Sequence, residues 1–307
     1  MHNDPNRYMG VGVGLLLGDA HCAPYEGGLL ERGLWWLIGR SKGKQRYTDD
    51  SQMAFDLGHH LLKAGRIDQQ NLAIDFASSY KWSRGYGPST VAVLKQIKKG
   101  KDWQSAATHR YKDGSFGNGA AMRIPILSVF LHNRARTAEI MTWAKQSAEV
   151  THPNPKAIDG ATAIAICINN ALDNVPPKAN VESIINTMQT PAMLANIKVV
   201  AEWLSQDSGP SVRQAKNILG AGTAAIESCP IAIYIALMGL DRPFDVIIKH
   251  AIEGGGDTDT IGAMAGAIWG AYNGYEKMLP NLINMTEGVD AMQGLISKLR
   301  AKHPAMQ

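Results

Sequence analysis

Asp257-Thr258-Asp259-Thr260-Ile261-Gly262-Ala263-Met264-Ala265-Gly266-Ala267-Ile268 is the stretch on which the fold turns. Its first four residues suit a helix start, because Asp and Thr side chains accept from exposed backbone N–H groups and carboxylates match the positive end of the helix dipole. The rest is small and apolar, and each glycine inside a helix costs up to roughly 1 kcal/mol of propensity relative to alanine. That cost is expected where a neighbouring helix or a ligand must come close, so the segment is predicted to lie at the centre of the fold. A membrane dimerisation stripe does not fit, since Asp257 and Asp259 precede the segment and Tyr272 and Asn273 end it.

Working outward, helical spacing recurs almost everywhere. Met53, Phe55, Leu57, Leu61 and Leu62 fall on one helical face, as do Ile158, Ala161, Ile164, Ala165 and Ile168. Alternating strand-like runs are scarce, and Gly, Pro, Asn and Asp punctuate the helical segments. No Pro/Ser linker, charge block or solenoid period divides the 307 residues. The expectation is an all-α fold, a single-domain multi-helix bundle over residues 1–307.

Bulk properties exclude several function classes. The formal net charge is +4, and the Lys and Arg residues are scattered along the chain rather than gathered into a long stripe or tail, which gives no support to nucleic-acid binding. Cys22, Cys167 and Cys229 are too few and too far apart for a disulfide framework and form no CxxC pair, which fits a cytoplasmic location. The opening MHNDPNRYMG lacks a signal-peptide pattern, and apolar runs such as Ile231 to Leu240 are too short to span a membrane.

Two acidic motifs carry the chemistry: Thr48-Asp49-Asp50-Ser51 and Asp257-Thr258-Asp259-Thr260. Each is a good helix cap taken alone. Capping does not explain why both hold two carboxylates and a hydroxyl, or why Gly254, Gly255 and Gly256 precede the second. If the two starts meet, four carboxylates repel one another unless cations neutralise them, and an all-oxygen set favours Mg²⁺, Mn²⁺ or Ca²⁺ over zinc.

The motifs, in order, resemble those of the ADP-ribosylglycohydrolase family, which includes the dinitrogenase reductase-activating glycohydrolases and the ADP-ribosyl-acceptor hydrolases. The resemblance rests on Gly14 to Ala20, Pro24-Tyr25-Glu26, Tyr47 to Met53, Gly85-Tyr86-Gly87, Gly117 to Arg123, Thr151-His152-Pro153, Gly220-Ala221-Gly222, Glu227 to Pro230 and Gly254 to Ile261. It implies an all-α bundle with two Mg²⁺ ions, Mn²⁺ being a possible substitute, held by Thr48, Asp49, Asp50, Asp257, Asp259 and Thr260. It implies catalytic roles for Glu26, Asp50 and Asp257, with Glu26 as a general acid or base or as a gate. It also implies substrate contacts from Gly85, Tyr86, Gly87, His152 and the run Gly114, Ser115, Phe116, Gly117, Asn118 and Gly119. In that run the backbone N–H groups, leading into a helix start at Ala-Ala-Met-Arg, are expected to cradle a diphosphate, with Phe116 near the adenine.

The activity implied is removal of ADP-ribose from a modified protein, with arginine as the first acceptor and serine-linked ADP-ribose or O-acetyl-ADP-ribose as alternatives. A second reading is an immunity protein that binds and blocks an ADP-ribosylating toxin, with hydrolysis secondary. Two features stand outside the family pattern. The basic run Arg40, Lys42, Lys44 and Arg46 precedes the first metal motif and suits an acidic partner surface, the substrate phosphates or plain solvent. The pairs Trp35-Trp36 and His59-His60 are read as helix, core or loop residues.

Overall fold

The computed structural model describes residues 4–206 and 208–302, without the side chains of Leu30, Glu31 and Trp36. The outermost residues of the expected 1–307 unit and the Trp36 side chain therefore lie outside the described residues. Seventeen α-helices account for most of the rest, and the buried apolar side chains form one cluster reaching from Tyr8 to Leu299. Proline places many of the helix starts, since its fixed φ and missing N–H suit the first helical position. Pro5, Pro88, Pro125, Pro155, Pro177, Pro191 and Pro280 each open a helix. Pro230 instead lies inside the Ala225–Met238 helix and deprives the Ile226 carbonyl of its usual donor. Asn196 Nδ2 donates to that carbonyl at 2.7 Å and restores the bond.

The expectation of close approach at Gly262 and Gly266 is met by a partner that carries the same spacing. The Pro5–Cys22 and Thr258–Asn273 helices cross antiparallel, glycine against glycine. A Cβ built on Gly18 would stand 2.0 Å from the Gly262 carbonyl oxygen, one on Gly14 2.2 Å from that of Gly266, and one on Gly10 2.2 Å from that of Gly270. Only hydrogen fits at these three crossings. The antiparallel sense sets the end of the Pro5–Cys22 helix beside the start of the Thr258–Asn273 helix, where Thr258 Oγ1 donates to the Cys22 carbonyl at 3.0 Å.

The basic run from Arg40 to Arg46 folds largely as a hairpin. The Leu29–Ile38 helix leads into a two-stranded hairpin, Arg40–Ser41 paired antiparallel with Lys44–Gln45. Its two-residue turn has positive φ at both Lys42, 52°, and Gly43, 79°, as such hairpins require. Gln45 fastens the hairpin to the body, donating to the Met285 carbonyl at 2.7 Å and accepting from Glu287 N at 2.9 Å. Trp35 is half-buried, His60 is buried against Asp75 at 2.7 Å, and His59 stacks on Phe55. The three cysteines are buried and unbridged. No helix among the described residues is long and apolar enough to cross a membrane.

Candidate active site

Thr48 and Asp257 each stand at the N-terminus of a helix, Asp49–Ala64 and Thr258–Asn273. Thr48 caps in the ordinary way, its hydroxyl accepting from Asp50 N at 3.3 Å. Asp257 does not cap with its side chain. It accepts instead from Asn118 Nδ2 at 2.6 Å, while its backbone N–H donates to the Ala221 carbonyl at 2.8 Å. That second bond brings Ala221 against the glycine run: Gly256, at φ 90°, would carry a Cβ 2.1 Å from the Ala221 oxygen. Glycine is required there by both backbone angle and space.

The two acidic motifs meet. Thr260 Oγ1 donates to Asp50 Oδ1 at 3.3 Å, and the other Asp50 oxygen is buried with no hydrogen-bond partner. Glu26, Asp257 and Asp259 converge so that one carboxylate oxygen from each lies within 4.8 Å of the others. Burial first, and then the neighbouring carboxylates, hold the carboxyls of Asp49, Asp50 and Asp259 well above the usual range.

One cavity collects most of the residues singled out from sequence. Its wall includes Glu26, Asp49, Asp50, Asp257, Asp259 and Thr260. Gly85, Gly87, Ser115, Phe116, Gly117, Asn118, Gly119 and His152 line it as well. Three predicted positions are not among the residues of its wall. Thr48 is buried at the helix cap, Tyr86 is buried with its ring edge-on to Tyr80, and Gly114 turns the chain at φ 73° where a Cβ would lie 2.3 Å from Pro153. Tyr111 and Thr223 line the cavity without having been anticipated, and Tyr111 joins Phe116 as an exposed aromatic.

The expected helix start after Gly119 is not there. Asn118–Ala120 is a single 3-10 turn, Ala121 to Ile124 continue as turn, and the α-helix begins only at Pro125. Two N–H groups of the run are also spent inside the protein, Gly117 N on Ser115 Oγ at 3.3 Å and Asn118 N on the Thr223 carbonyl at 2.9 Å. The helix dipole therefore makes no contribution at this loop.

What holds the loop is Arg123, fully buried, donating to the carbonyls of Gly119 and Ser147 at 2.7 Å each and packing over the Phe76 ring. Burial lowers its pKa to about 9. His152 fits against Gly119 so closely that a Cβ there would come within 2.6 Å of the ring. Burial, with Arg123 nearby, pushes His152 down to about 3, so it is neutral, and its Nδ1 shares a 2.7 Å hydrogen bond with Thr151 Oγ1.

Asp19, inside the Gly14 to Ala20 motif, has a part that the sequence does not announce. It is fully buried and accepts from Thr48 N at 2.9 Å, Ser51 N at 3.0 Å and Ser51 Oγ at 2.5 Å, which clamps the Asp49–Ala64 helix start onto the first helix. An acid at the end of the apolar run Leu15 to Leu17 was the available signal. Ser228, which accepts from Asn118 Nδ2 at 2.9 Å, was likewise passed over.

The profile of the ADP-ribosylglycohydrolase family matches residues 1–306. The ADP-ribosylhydrolase ARH3 of Gallus gallus is 31% identical, covering 96% of this chain and 93% of its own, and that of Danio rerio is 30% identical over 96% and 90%. An uncharacterized Escherichia coli protein, YegU, is 30% identical over 90% of each chain. Among solved structures, an ADP-ribosylglycohydrolase-related protein complex superposes with a TM-score of 0.71 at 23% identity, covering 97% of this chain and 98% of that one, a likeness of fold. A match spanning nearly every residue, with relatives aligned along almost their full lengths, means that this chain belongs to the ADP-ribosylglycohydrolase family.

Proposed function

We propose that this chain is a metal-dependent hydrolase that frees ADP-ribose from a modified protein. The observation that carries the reading is the convergence of Asp49 and Asp50 with Asp257, Asp259 and Glu26 on one cavity. Membership of the family and the names of the ARH3 relatives support the chemistry.

The residues fit hard divalent cations. Five carboxylates crowd together, and a buried Asp50 oxygen has no donor. That combination is costly without positive charge. Thr48, Asp49, Asp50, Asp257, Asp259 and Thr260 would hold two Mg²⁺ or Mn²⁺ ions, with Glu26 beside them. When bound, the ions supply positive charge that polarises sugar hydroxyls and stabilises charge developing at the breaking bond.

The chain's own residues do the rest. Asn118 fixes the Asp257 carboxylate and Thr260 fixes that of Asp50, so both are oriented before substrate arrives. Phe116 and Tyr111 offer exposed rings for a planar base, and the 115–119 loop with neutral His152 lines the path of the diphosphate. The bond between the anomeric carbon and the acceptor breaks; water adds its hydroxyl to that carbon, and the acceptor takes the remaining proton. Glu26 moves that proton. We take residues 1–307 as one working unit, because the carboxylates come from both ends of the chain.

Arginine, expected from the activating glycohydrolases, gains no support from the ARH3 relatives, so it stands level with serine and the O-acetyl ester as acceptor. Toxin blocking needs no gathered carboxylates, and their convergence favours hydrolysis. The test is incubation of arginine-linked and serine-linked ADP-ribosylated proteins and of O-acetyl-ADP-ribose with the purified chain, with and without EDTA. Free ADP-ribose from at least one substrate, abolished by EDTA and restored by Mg²⁺ or Mn²⁺, is the expected result. Release from none of them in excess Mg²⁺ would overturn the reading.

A further inference from the structure

The formal charge of the whole chain sits in one short stretch. Residues 27–47 hold Arg32, Arg40, Lys42, Lys44 and Arg46 against Glu31 alone, a net +4 equal to that of the entire protein, so acids and bases balance everywhere else. Composition by itself hid this, because basic residues outside the stretch are numerous but matched.

The same stretch is anchored in the candidate active site at both ends. Glu26 precedes it and Thr48-Asp49-Asp50 follow it, and the cavity wall includes Glu26, Asp49 and Asp50. Between those anchors the chain faces solvent: Arg32, Arg40, Lys42 and Lys44 are exposed, and so are Leu29, Leu34 and Leu37, the last at 70%. Arg46 alone is spent internally, donating to the Ile38 carbonyl at 2.7 Å and facing Glu287 at 3.8 Å. Arg46 also donates to Ser83 Oγ at 3.4 Å, which brings Trp82, 72% exposed, to the foot of the hairpin. From Trp82 the chain runs on to Gly85 and Gly87 in the cavity wall.

Exposed leucines and a tryptophan beside uncompensated basic groups are the composition of a protein-binding surface, with apolar anchors and a charged rim. Position selects the occupant. ADP-ribose occupies the cavity in the proposed reaction, so a protein attached to it must lie just outside, where this surface begins.

We propose, resting on the hydrolase reading above, that the Leu29–Ile38 helix, the 40–45 hairpin and Trp82 dock the acceptor protein and favour acceptors whose modified residue lies in an acidic stretch. Opposite charge speeds encounter and holds the acceptor in register, whereas a basic flank is repelled.

The test uses three ADP-ribosylated peptides differing only in their acidic, neutral or basic flanks, together with the small-molecule form of the same linkage. The wild-type chain should prefer the acidic peptide over the basic one by about tenfold in kcat/KM at low salt, with the preference shrinking as salt rises. The Arg40→Glu, Lys42→Glu, Lys44→Glu variant should lose that preference and keep wild-type turnover of the small molecule. Equal kcat/KM on all three peptides overturns the proposal without any variant being made.

Docking is also read apart from chemistry, by fluorescence anisotropy of a labelled, unmodified acidic peptide. Its Kd should weaken about tenfold in the triple variant; equal Kd values overturn the proposal. A chain that binds this peptide yet hydrolyses nothing sinks the hydrolase reading and leaves the surface standing. Binding to phosphatidylserine vesicles with no preference among the peptides makes this a membrane face and overturns it.

Discussion

Asp19 receives both the backbone N–H of Ser51, at 3.0 Å, and its hydroxyl, at 2.5 Å, across two different helices. The bond fixes where the second helix starts, and Asp49 and Asp50 lie in that first turn. Asp19→Ala removes an acceptor from buried donors and should lower stability by about 3 kcal/mol. Asp19→Asn keeps the shape but brings a donor against donors, and support residues of this kind change metal affinity by about 10- to 100-fold. Urea unfolding and Mn²⁺ titration calorimetry measure the two effects; Asp19→Asn with wild-type Mn²⁺ affinity would show that the clamp does not position the carboxylates.

The glycine crossing makes a sharp contrast between two alanine substitutions. Gly18→Ala places a methyl 2.0 Å from the backbone oxygen of Gly262, which nothing flexible can relieve. A loss of about 3 kcal/mol or more is expected, at the upper end of overpacking effects. Gly294, in the Val289–Ala301 helix, has nothing within 4 Å of a built Cβ. Gly294→Ala should stabilise by up to about 1 kcal/mol. Denaturant midpoints at constant slope decide both.

Glu26 was expected to act on protons, and its oxygen lies within 4.8 Å of those of Asp257 and Asp259. Proton transfer and metal support predict different ratios. Glu26→Gln should lower kcat by about 10²- to 10⁴-fold, with a far smaller change in the Mg²⁺ concentration giving half-maximal rate. If the two quantities fall together and excess Mg²⁺ restores the rate, Glu26 is a ligand and not the acid or base.

Asp56 gives a pH test away from the carboxylate cluster. It accepts from Gln52 Nε2 at 3.1 Å and from the Ser79 hydroxyl, and burial raises it to about 7. With a folded pKa above the unfolded one, its contribution is complete below about pH 4 and is lost as pH rises through 7. Asp56→Asn has no charge to bury at any of these values. The Tm of the variant relative to wild type should therefore climb between pH 5 and 8.5, and a flat difference would mean that Asp56 does not titrate in this range.

Much of this was legible because small and acidic residues are conspicuous where they carry a cost. Glycines at 262 and 266 announced a close neighbour, yet the neighbour, Gly10, Gly14 and Gly18, could not be chosen from among 31 glycines without tertiary structure. The meeting of Asp50 with Thr260 was an assumption in the sequence, since the two lie 210 residues apart. Asp19 escaped notice because its partners, Thr48 and Ser51, are brought to it only by helix packing. The expected helix after Gly119 failed for a local reason: Pro125 suits the first position of a helix, and the turn before it is held by Asn118 and Arg123 side-chain bonds. Tyr86 and Gly114 fell out of the cavity because neighbours in a motif point in different directions.

The antiparallel pairing of the Pro5–Cys22 and Thr258–Asn273 helices also bears on synthesis. Cys22 meets Thr258 across 236 positions, so a nascent chain leaving the ribosome must carry its opening helix without a mate through most of translation. That helix has a bare groove of Gly10, Gly14 and Gly18 which only the late segment fills, so truncated products should be prey for chaperones and proteases.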